Sequence, residues 1–434
     1  MAKGQFGMGL AGGSWEGIWG LHHQPASILL NQDRMEVNVF RAGIDAYANF
    51  LEIDPNRFGI LNFNDGLVLD KEGPQVHGTD RLGENSLFDL RTLGPSLARR
   101  VGKHGAWAFT TAGRVIYTGL DPRATTGRFG LDTLLLRAGE ERLMEAVDMR
   151  ANTATWAEAG LTYGRTFNDA GKVRIHAAAT GKFIVGGRAG YLVVSPPVVE
   201  GMTDSTTAIA QVDIDHALAL PHDWNTAGRG WNADLGAIIE VMRRDWAPDM
   251  RPYRLRFGVA FTDLGSVNYK EGAGVYRIRN GTTTSDQLAA LQVDNVAGLD
   301  TALSSLLLGD PVRSRVGTAF KLGLPAALHL SLEFCPAQHW AVRAEGVLNM
   351  RHPPEALSTR EQIAITPRFE TRMLMVAVPF TMDRYGTRGL GLCLRLGGAM
   401  LGSDRLGGLI GMENGVGADF YCGIKLRFKE KEPE

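Results

Sequence analysis

Residues Asp419–Phe428, DFYCGIKLRF, decide the fold that we predict for this chain. Side chains of a β-strand point alternately to opposite faces, so every second residue shares a face. One face of this stretch carries Phe420, Cys422, Ile424, Leu426 and Phe428, and the other carries Asp419, Tyr421, Gly423, Lys425 and Arg427. A strand with one apolar face needs a cover for it, which is a second sheet in a soluble sandwich and lipid in an outer-membrane barrel.

The same two-faced alternation recurs along most of the chain. It appears in residues 35–53, 107–117, 157–163, 173–183, 233–241, 253–262, 328–334, 340–349, 368–377 and 390–396. Short turns occur together with long connections over residues 119–152 and 266–312, without strict alternation between 185 and 252. Helical spacing in the long connections predicts helices at 131–149 and 285–307. The fold class that we predict is all-β, a transmembrane antiparallel β-barrel of about fourteen strands, within about two, with helical segments in its long loops.

A closed barrel accounts for the pattern better than an open sheet. So many long strands in one sheet would leave exposed edges, whereas closure pairs every backbone group, as lipid requires. Aromatic residues at strand ends, among them Trp156, Tyr253, Trp340 and Phe428, fit the girdles of a membrane interface. A soluble β-rich sandwich remains the alternative, with the apolar rows packed on each other.

Composition excludes several other classes of protein. The chain has 434 residues, 44% of them hydrophobic and 21% charged, with a net charge of -1. This balance is that of a folded chain and lacks the basic footprint of a nucleic-acid-binding protein. No apolar run reaches the length of a transmembrane helix, and the first residues lack a hydrophobic signal core. A cytoplasmic protein and a mature outer-membrane protein without its signal peptide would both look like this.

We divide the chain into three parts. Residues 1–33 are a Gly-rich N-terminal segment for which the lumen is one available place, 34–428 form the outer-membrane barrel, and 429–434 form a short periplasmic tail. The charged rows then line the lumen, and the residues that we assign to it are Arg254, Arg256, Arg343, Glu345, Arg368, Glu370, Arg372, Arg395 and Arg427. Acids beside the arginines favour a closed, ion-paired lumen over an anion-selective pore.

The sequence predicts no catalytic, metal or cofactor site, and therefore no enzyme. His329, Ser331 and Glu333 share one strand face, but residues two apart on a strand are about 6.6–7 Å apart, too far for a nucleophile and base to hydrogen-bond. The pair His22-His23 has no acidic or Cys partner near it in the sequence, so we do not predict a metal site there.

Residues 366–410 resemble the C-terminal signature of an uncharacterised family of Bacteroidota outer-membrane barrels, a domain of unknown function. The matching motifs are Thr366–Arg372, Gly389–Gly398 and Gly402–Asp404, and looser matches occur at 19–40, 94–109, 156–167 and 254–269. The family is similar in style to fatty-acid-transporter-like barrels and to barrel subunits of type IX secretion. The missing signal peptide and the pair His22-His23 depart from the family pattern.

The resemblance and the strand pattern together give the functional expectations. We expect a structural or partner-binding component of an outer-membrane assembly, with a secretion-linked role as one form of it. The first alternative is a transporter or channel for hydrophobic or small solutes, and the second alternative is a soluble β-rich binding protein. The expected partners are the lipid bilayer and other outer-membrane or periplasmic proteins, without nucleic acid. Phe420, Leu426 and Phe428 form the expected barrel-assembly signal at the end of the last strand.

Overall fold

The computed structural model describes residues 7–30, 33–48, 85–120, 149–168, 171–195, 198–202, 208–222, 226–243, 252–284, 287, 298–351, 355–384, 386–407 and 417–428. Their strands form one antiparallel sheet. The first are β1 Met35–Ala48, β2 Asn85–Leu93, β3 Ser96–Val101, β4 Gly105–Leu120, β5 Met149–Asn168, β6 Val173–Val194, β7 Val198–Met202, β8 Ala208–Ala219, β9 Gly228–Met242, β10 Tyr253–Thr262, β11 Ser266–Tyr269 and β12 Ala273–Thr284.

The remaining strands belong to the second half of the chain. They are β13 Arg315–Gly317, β14 Phe320–Gly323, β15 Ala327–Phe334, β16 Trp340–Asn349, β17 Gln362–Glu370, β18 Leu374–Ala377, β19 Phe380–Asp383, β20 Arg388–Leu390, β21 Leu392–Leu396, β22 Ala399–Ser403 and β23 Gly417–Phe428. Within the described ranges, the helices are two short 3-10 helices, Gly17–His22 and Pro25–Leu30, and α1, Leu299–Leu308.

Several of these strands are pieces of longer strands of the barrel wall. Each wall strand is interrupted where Gly or Pro breaks the hydrogen-bond ladder, as at Gly94-Pro95 and Val378-Pro379. The joined pieces are β2 with β3, β6 with β7, β8 with β9, β10 to β12, β13 to β15, β18 with β19, and β20 with β21. Counted in this way, the wall is a closed antiparallel barrel of 14 strands, which confirms the predicted fold class.

The barrel closes between the first and last wall strands. In the register of β1 with β23, Met35 lies opposite Phe428 and Tyr47 opposite Gly417. The turns at 102–104, 335–339, 371–373 and 397–398 are short and lie at the same end of the barrel as this Met35–Phe428 pair. We call this the short-turn end. Short turns at one end and long connections at the other are typical of outer-membrane barrels.

The two rows of β23 face opposite environments. On the outward row Phe420 is 40% exposed and Leu426 is 50% exposed, whereas Asp419 and Lys425 on the inward row are 2% and 1% exposed. The same inversion, apolar side chains outside and charged side chains inside, holds along β10, β15, β16 and β17. Exposed apolar rows around a closed wall are the arrangement that lipid stabilises.

The predicted long connection over residues 266–312 is wrong in its first half, where β11 and β12 lie. Strand β12 lacks an apolar outward row, since Arg277 and Arg279 are on the surface and pair with Asp215. A strand whose outward residues are polar shows no alternation of apolar and polar residues in the sequence, so it is not recognised as a wall strand. The predicted helix at 285–307 corresponds to α1, and the helix predicted at 131–149 lies outside the described residues except for Met149, which begins β5.

Two aromatic residues that we predict for the interface girdles lie inside instead. Trp156 is 5% exposed and Tyr253 is 1% exposed. Trp156 shares its strand parity with the inward Glu158, and a β-bulge between Tyr253 and Leu255 turns Tyr253 inward. None of the helices in the described ranges has the length and apolar character needed to cross a membrane.

Candidate functional site

The barrel lumen gathers most of the charged residues that we assign to it from the sequence. Arg256, Arg343, Glu345, Arg368, Glu370 and Arg395 are all buried on the inward rows of β10, β16, β17 and β21. They form a connected ionic network. Arg256 bonds Glu240 at 2.7 Å, Arg368 bonds Glu333 at 2.5 Å, and Arg343 bonds Glu345 at 2.9 Å. Because the charges are paired, most of their desolvation cost is offset within the lumen.

Of the other three arginines that we assign to the lumen, one lies outside it and two lie at its short-turn end. Arg254 lies at the bulge of β10, is exposed, and stacks on the outward ring of Phe334 at 6.0 Å. It therefore lies on the outer surface, because the bulge inserts a residue and shifts the alternation. Arg372 and Arg427 lie at the short-turn end, where both contact Asp33 and stack on Trp15.

Residues 7–30, which we call the plug, fill the space inside these charged rows. Its two 3-10 helices are almost wholly buried, and Trp19 at 0% exposure is the largest fully buried side chain. Leu10, Ile18, Trp19, Leu21 and Ile28 form one apolar cluster with inward wall residues, including Leu93, Met375 and Tyr421. Gly-rich sequence suits this position, since small residues let the backbone approach the wall closely.

Wall cations hold the plug by its backbone carbonyls. Arg368 donates to the carbonyl oxygens of Ala11 and Gly12 at 2.8 and 2.9 Å. Lys425 Nζ donates to the carbonyls of Trp15 and Glu16, both at 2.8 Å, and to Glu36 at 2.6 Å. Hydrogen bonds from ionised donors are roughly twice as strong as neutral ones, so these contacts fix the path of the plug.

Wall carboxylates hold the backbone N–H groups of the plug in the same way. The Asp404 carboxylate accepts hydrogen bonds from the N–H groups of Gly7, Met8 and Gly9 at 2.7, 2.8 and 3.1 Å. Glu370 accepts from the N–H of Ser14 at 3.1 Å. A chain without regular secondary structure must find partners for its backbone groups, and here the ionised wall supplies them.

The fit between plug and wall depends on glycine at two positions. Gly12 has φ +76°, and a Cβ there would contact the guanidinium of Arg343. A Cβ at Gly9 would lie 2.6 Å from the Cβ of Cys393 on β21. Glycine adopts the left-handed backbone of position 12 without strain. Its lack of a Cβ lets position 9 approach Cys393 this closely, so any larger residue at position 9 must shift the plug slightly away from the wall.

A second ionic cluster lies on β2, β4, β6 and β9, and our sequence analysis does not identify it as a unit. Arg114 bonds Asp89 at 2.6 Å and Asp263 at 3.1 Å, and Lys182 bonds Asp234 at 2.7 Å. Asp263, with φ +57°, ends β10 and turns its carboxylate into the lumen. In LFDLRTL, Asp89 lies two residues from Leu87 and from Arg91 and therefore shares their strand face. This spacing is the sequence signal that marks Asp89 as an inward residue.

His329 and Glu333, which share a strand face with Ser331, have separate partners. Glu333 bonds Arg368, Arg256 and Tyr253, whereas His329 Nε2 lies 3.2 Å from the hydroxyl of Thr262. In the plug, burial raises the pKa of Glu16 to about 7 and lowers the pKa of His23 well below its usual value. The geometry supports an ion-paired lumen rather than a catalytic site at these residues.

A cavity of about 150 Å³ lies between the plug and the short-turn end of the wall. Its polar lining consists of Ser14, Arg100, Lys103, Thr166, Arg174, His176, Glu240, Tyr253 and Arg256. The cavity is smaller than the roughly 300–1,000 Å³ of an ordinary ligand pocket. This cavity is therefore too small to serve by itself as an ordinary ligand pocket.

Solved structures of other barrels are similar to this chain at low identity. The toluene transporter TodX of Pseudomonas putida is 9% identical over 95% of this chain and 94% of that chain, with a TM-score of 0.43. The toluene transporter TbuX of Ralstonia pickettii is 10% identical over 93% and 92%, with a TM-score of 0.41. A FadL homologue of Pseudomonas aeruginosa is 13% identical over 93% of each chain, with a TM-score of 0.41.

No curated protein matches the sequence. One protein-family model matches residues 80–404, and it is described as a family of unknown function, DUF5723. This range includes the wall from β2 to β22 and most of the ionic network. The match confirms the prediction of an uncharacterised barrel family, and the chain belongs to the DUF5723 family.

Proposed function

We propose that this protein is a gated outer-membrane conduit for small polar solutes, in which the plug closes the lumen and must be displaced for passage. The observation that carries the proposal is the way in which the plug is held. Arg368, Lys425 and Asp404 bind its backbone amides and carbonyls through charged side chains. Water can solvate each of these groups once the plug has left, so the vacated lumen would be a hydrated, charged passage.

A permanently filled lumen would not need this chemistry. Replacing buried ion pairs by well-packed apolar residues is often neutral or stabilising by about 1–4 kcal/mol. The wall nevertheless keeps Arg256, Arg343, Arg368 and Arg395 buried around the plug. Paired charges of both signs favour a polar solute over a hydrocarbon in that passage.

The outer surface supports a location in the outer membrane. Outward apolar residues such as Phe257, Leu330 and Ile365 are 44%, 46% and 52% exposed around a closed wall. At about 25 cal/mol per Å², transfer of such rows from water to lipid is strongly favourable. The lipid bilayer is therefore the partner that the wall itself requires.

A disulfide lock between plug and wall tests the gating. A Gly9→Cys variant places a second thiol beside Cys393, where the Cβ atoms need to separate by about 1 Å to reach disulfide geometry. We expect the reduced variant in liposomes to admit small sugars and amino acids in a swelling assay. Oxidation should stop the uptake, and a reductant should restore it.

The matched control is the double variant G9C/C393S, which has the same plug substitution but cannot form the lock. Its uptake should be insensitive to oxidant. Deletion of residues 7–30 should give uptake that no oxidant stops. The gated conduit would be contradicted if the unmodified chain admits no solute while the variant without residues 7–30 does.

The second candidate is a structural or partner-binding component of an outer-membrane assembly, with a secretion-linked role as one form of it. The observation in its favour is that wall charges bond the plug backbone at several separate points, as at Glu370 with Ser14. This function predicts a plug that never leaves and a protein partner that co-purifies. Isolation of the chain without any partner would weigh against it.

A further inference from the structure

Three buried side chains from three separate elements meet inside the lumen. His23 lies between the two 3-10 helices of the plug, His329 lies on β15 and Glu345 on β16. One imidazole nitrogen of each histidine and one carboxylate oxygen lie within 4.8 Å of one another. Each of the three residues is 3% exposed. Two imidazoles and a carboxylate are a ligand set that first-row divalent cations bind.

The distances suit a tetrahedral ion after a small adjustment. Ligand atoms about 2.0–2.1 Å from zinc are about 3.4 Å from each other in a tetrahedron. His329 Nδ1 and Glu345 Oε1 are already 3.6 Å apart. The ligand nitrogen of His23, on the plug, must move closer to the other two ligand atoms by about 1.4 Å at most to reach the tetrahedral spacing.

The surroundings orient two of the ligands toward the same point. The hydroxyl of Thr262 lies 3.2 Å from His329 Nε2, which leaves Nδ1 directed to Glu345. Arg343 donates to Glu345 Oε2 at 2.9 Å, and this leaves Oε1 directed to the cluster. Second contacts of this kind fix ligand orientation at metal sites.

Two polar atoms of the cluster have no hydrogen-bond partner within the described ranges, although both are buried. They are His23 Nδ1 and Glu345 Oε1. A small cavity of about 10 Å³ adjoins His23 and is also lined by Glu16, Ser331 and Arg343. A cavity of this size has room for one water molecule, which can complete the coordination of an ion.

We propose that His23, His329 and Glu345 form a binding site for a first-row divalent cation, with zinc as its best-fitting member. The ion would join the plug to the wall, because one ligand belongs to the plug and two belong to adjacent wall strands. A hydrogen-bonded histidine pair is the competing interpretation. The metal site goes beyond the proposed conduit and does not depend on it, since an ion can bind here whether or not the plug ever moves.

Zinc and cobalt binding to the folded, chelator-treated barrel tests the site. We expect one Zn²⁺ per chain by elemental analysis, a visible Co²⁺ absorption band of tetrahedral nitrogen and oxygen ligation, and a thermal unfolding temperature that rises with zinc. His23→Gln should weaken Zn²⁺ binding by about 100-fold or more and abolish the temperature rise. The variant changes only the plug, so folding of the wall can be checked by its gel mobility.

His22→Gln is the matched control, since His22 is the adjacent histidine, is also buried, and lies outside the cluster. It should bind zinc like the unmodified chain, and Glu345→Gln should lose binding like His23→Gln. Zinc binding that survives His23→Gln, or that His22→Gln removes equally, would overturn the proposal. Absence of stoichiometric zinc from the unmodified chain would overturn it as well.

Discussion

Arg368 shows how a single inward residue serves both the wall and the plug. Its side chain is 0% exposed, and it lies on β17. One guanidinium group donates to the carbonyls of Ala11 and Gly12 and also bonds Glu333. The planar guanidinium can make these contacts simultaneously, which a lysine cannot do with the same geometry.

Arg368→Met should lower the free energy of unfolding by about 3–5 kcal/mol, because Glu333 would lose its shortest ion pair in a buried site. The plug would also lose two anchors. Urea unfolding of the barrel in detergent, followed by tryptophan fluorescence, measures the change. Trp19 in the plug reports the local loss.

Arg384→Met is the control for that substitution. Arg384 pairs with Glu361 at 3.0 Å, but its side chain is 62% exposed. An exposed pair is worth about 0–1 kcal/mol, so this variant should unfold almost like the unmodified chain. Equal losses for the two variants would contradict the plug-anchoring role of Arg368.

Strand parity alone predicts the inward position of Arg256, Glu345 and Arg368, because a strand that is apolar on one side must turn its charges to the other. Parity fails at Arg254, where a bulge shifts the alternation, and nothing in the local sequence marks that bulge. The cluster of His23, His329 and Glu345 is beyond prediction from one sequence, since His23 lies about 300 residues before the other two in the chain.

At the scale of elements, β23 is the strand that the sequence describes best. Its two rows face outward and into the lumen as the alternation predicts, and its inward Asp419 and Lys425 are buried. Strand β12 escapes prediction because its outward residues include Arg277 and Arg279, so no apolar row is visible. Sequence therefore identifies a wall strand where its outward row is apolar and misses it where that row is polar.

The double variant Leu426→Asp with Phe428→Ala should lower the yield of folded barrel several-fold. Leu426 is 50% exposed on the outward row, so an aspartate there would face lipid in the strand that closes the wall. The ratio of folded to unfolded bands on a cold gel measures the yield. We assign Phe428 and Leu426, with Phe420, to the assembly signal.

Val312→Asp provides the comparison for the outward row. Val312 is also apolar and is 69% exposed, but it lies in the connection between α1 and β13 rather than in the wall. Its replacement should leave the yield unchanged. Normal assembly of the β23 variant would show that the outward row of this strand does not meet lipid.

The whole molecule combines an apolar exterior with an ionic interior, the reverse of a soluble protein. Phe109, Leu161 and Trp231 are 45%, 61% and 71% exposed outside, while Lys182 and Arg395 are buried inside. A large, contiguous apolar exterior of this kind is not stable in water.

Unheated protein in mild detergent should therefore migrate differently on a gel from boiled protein, because the closed wall resists unfolding. Cell fractionation should recover the chain with the outer membrane. Recovery in the soluble fraction without detergent would contradict the membrane assignment and favour the β-rich binding protein.

The seam between β1 and β23 has a consequence for biosynthesis. Met35 lies opposite Phe428, so the ring closes between its first and last wall strands in sequence order. Strand β23, which is 12 residues long, follows the other described strands in the sequence, and β1 presents an unpaired edge until β23 pairs with it. A chain that lacks β23 would keep that edge open and stay accessible to chaperones and proteases. Closure of the ring thus depends on two strands that are distant in the sequence, and loss of either one leaves the wall open.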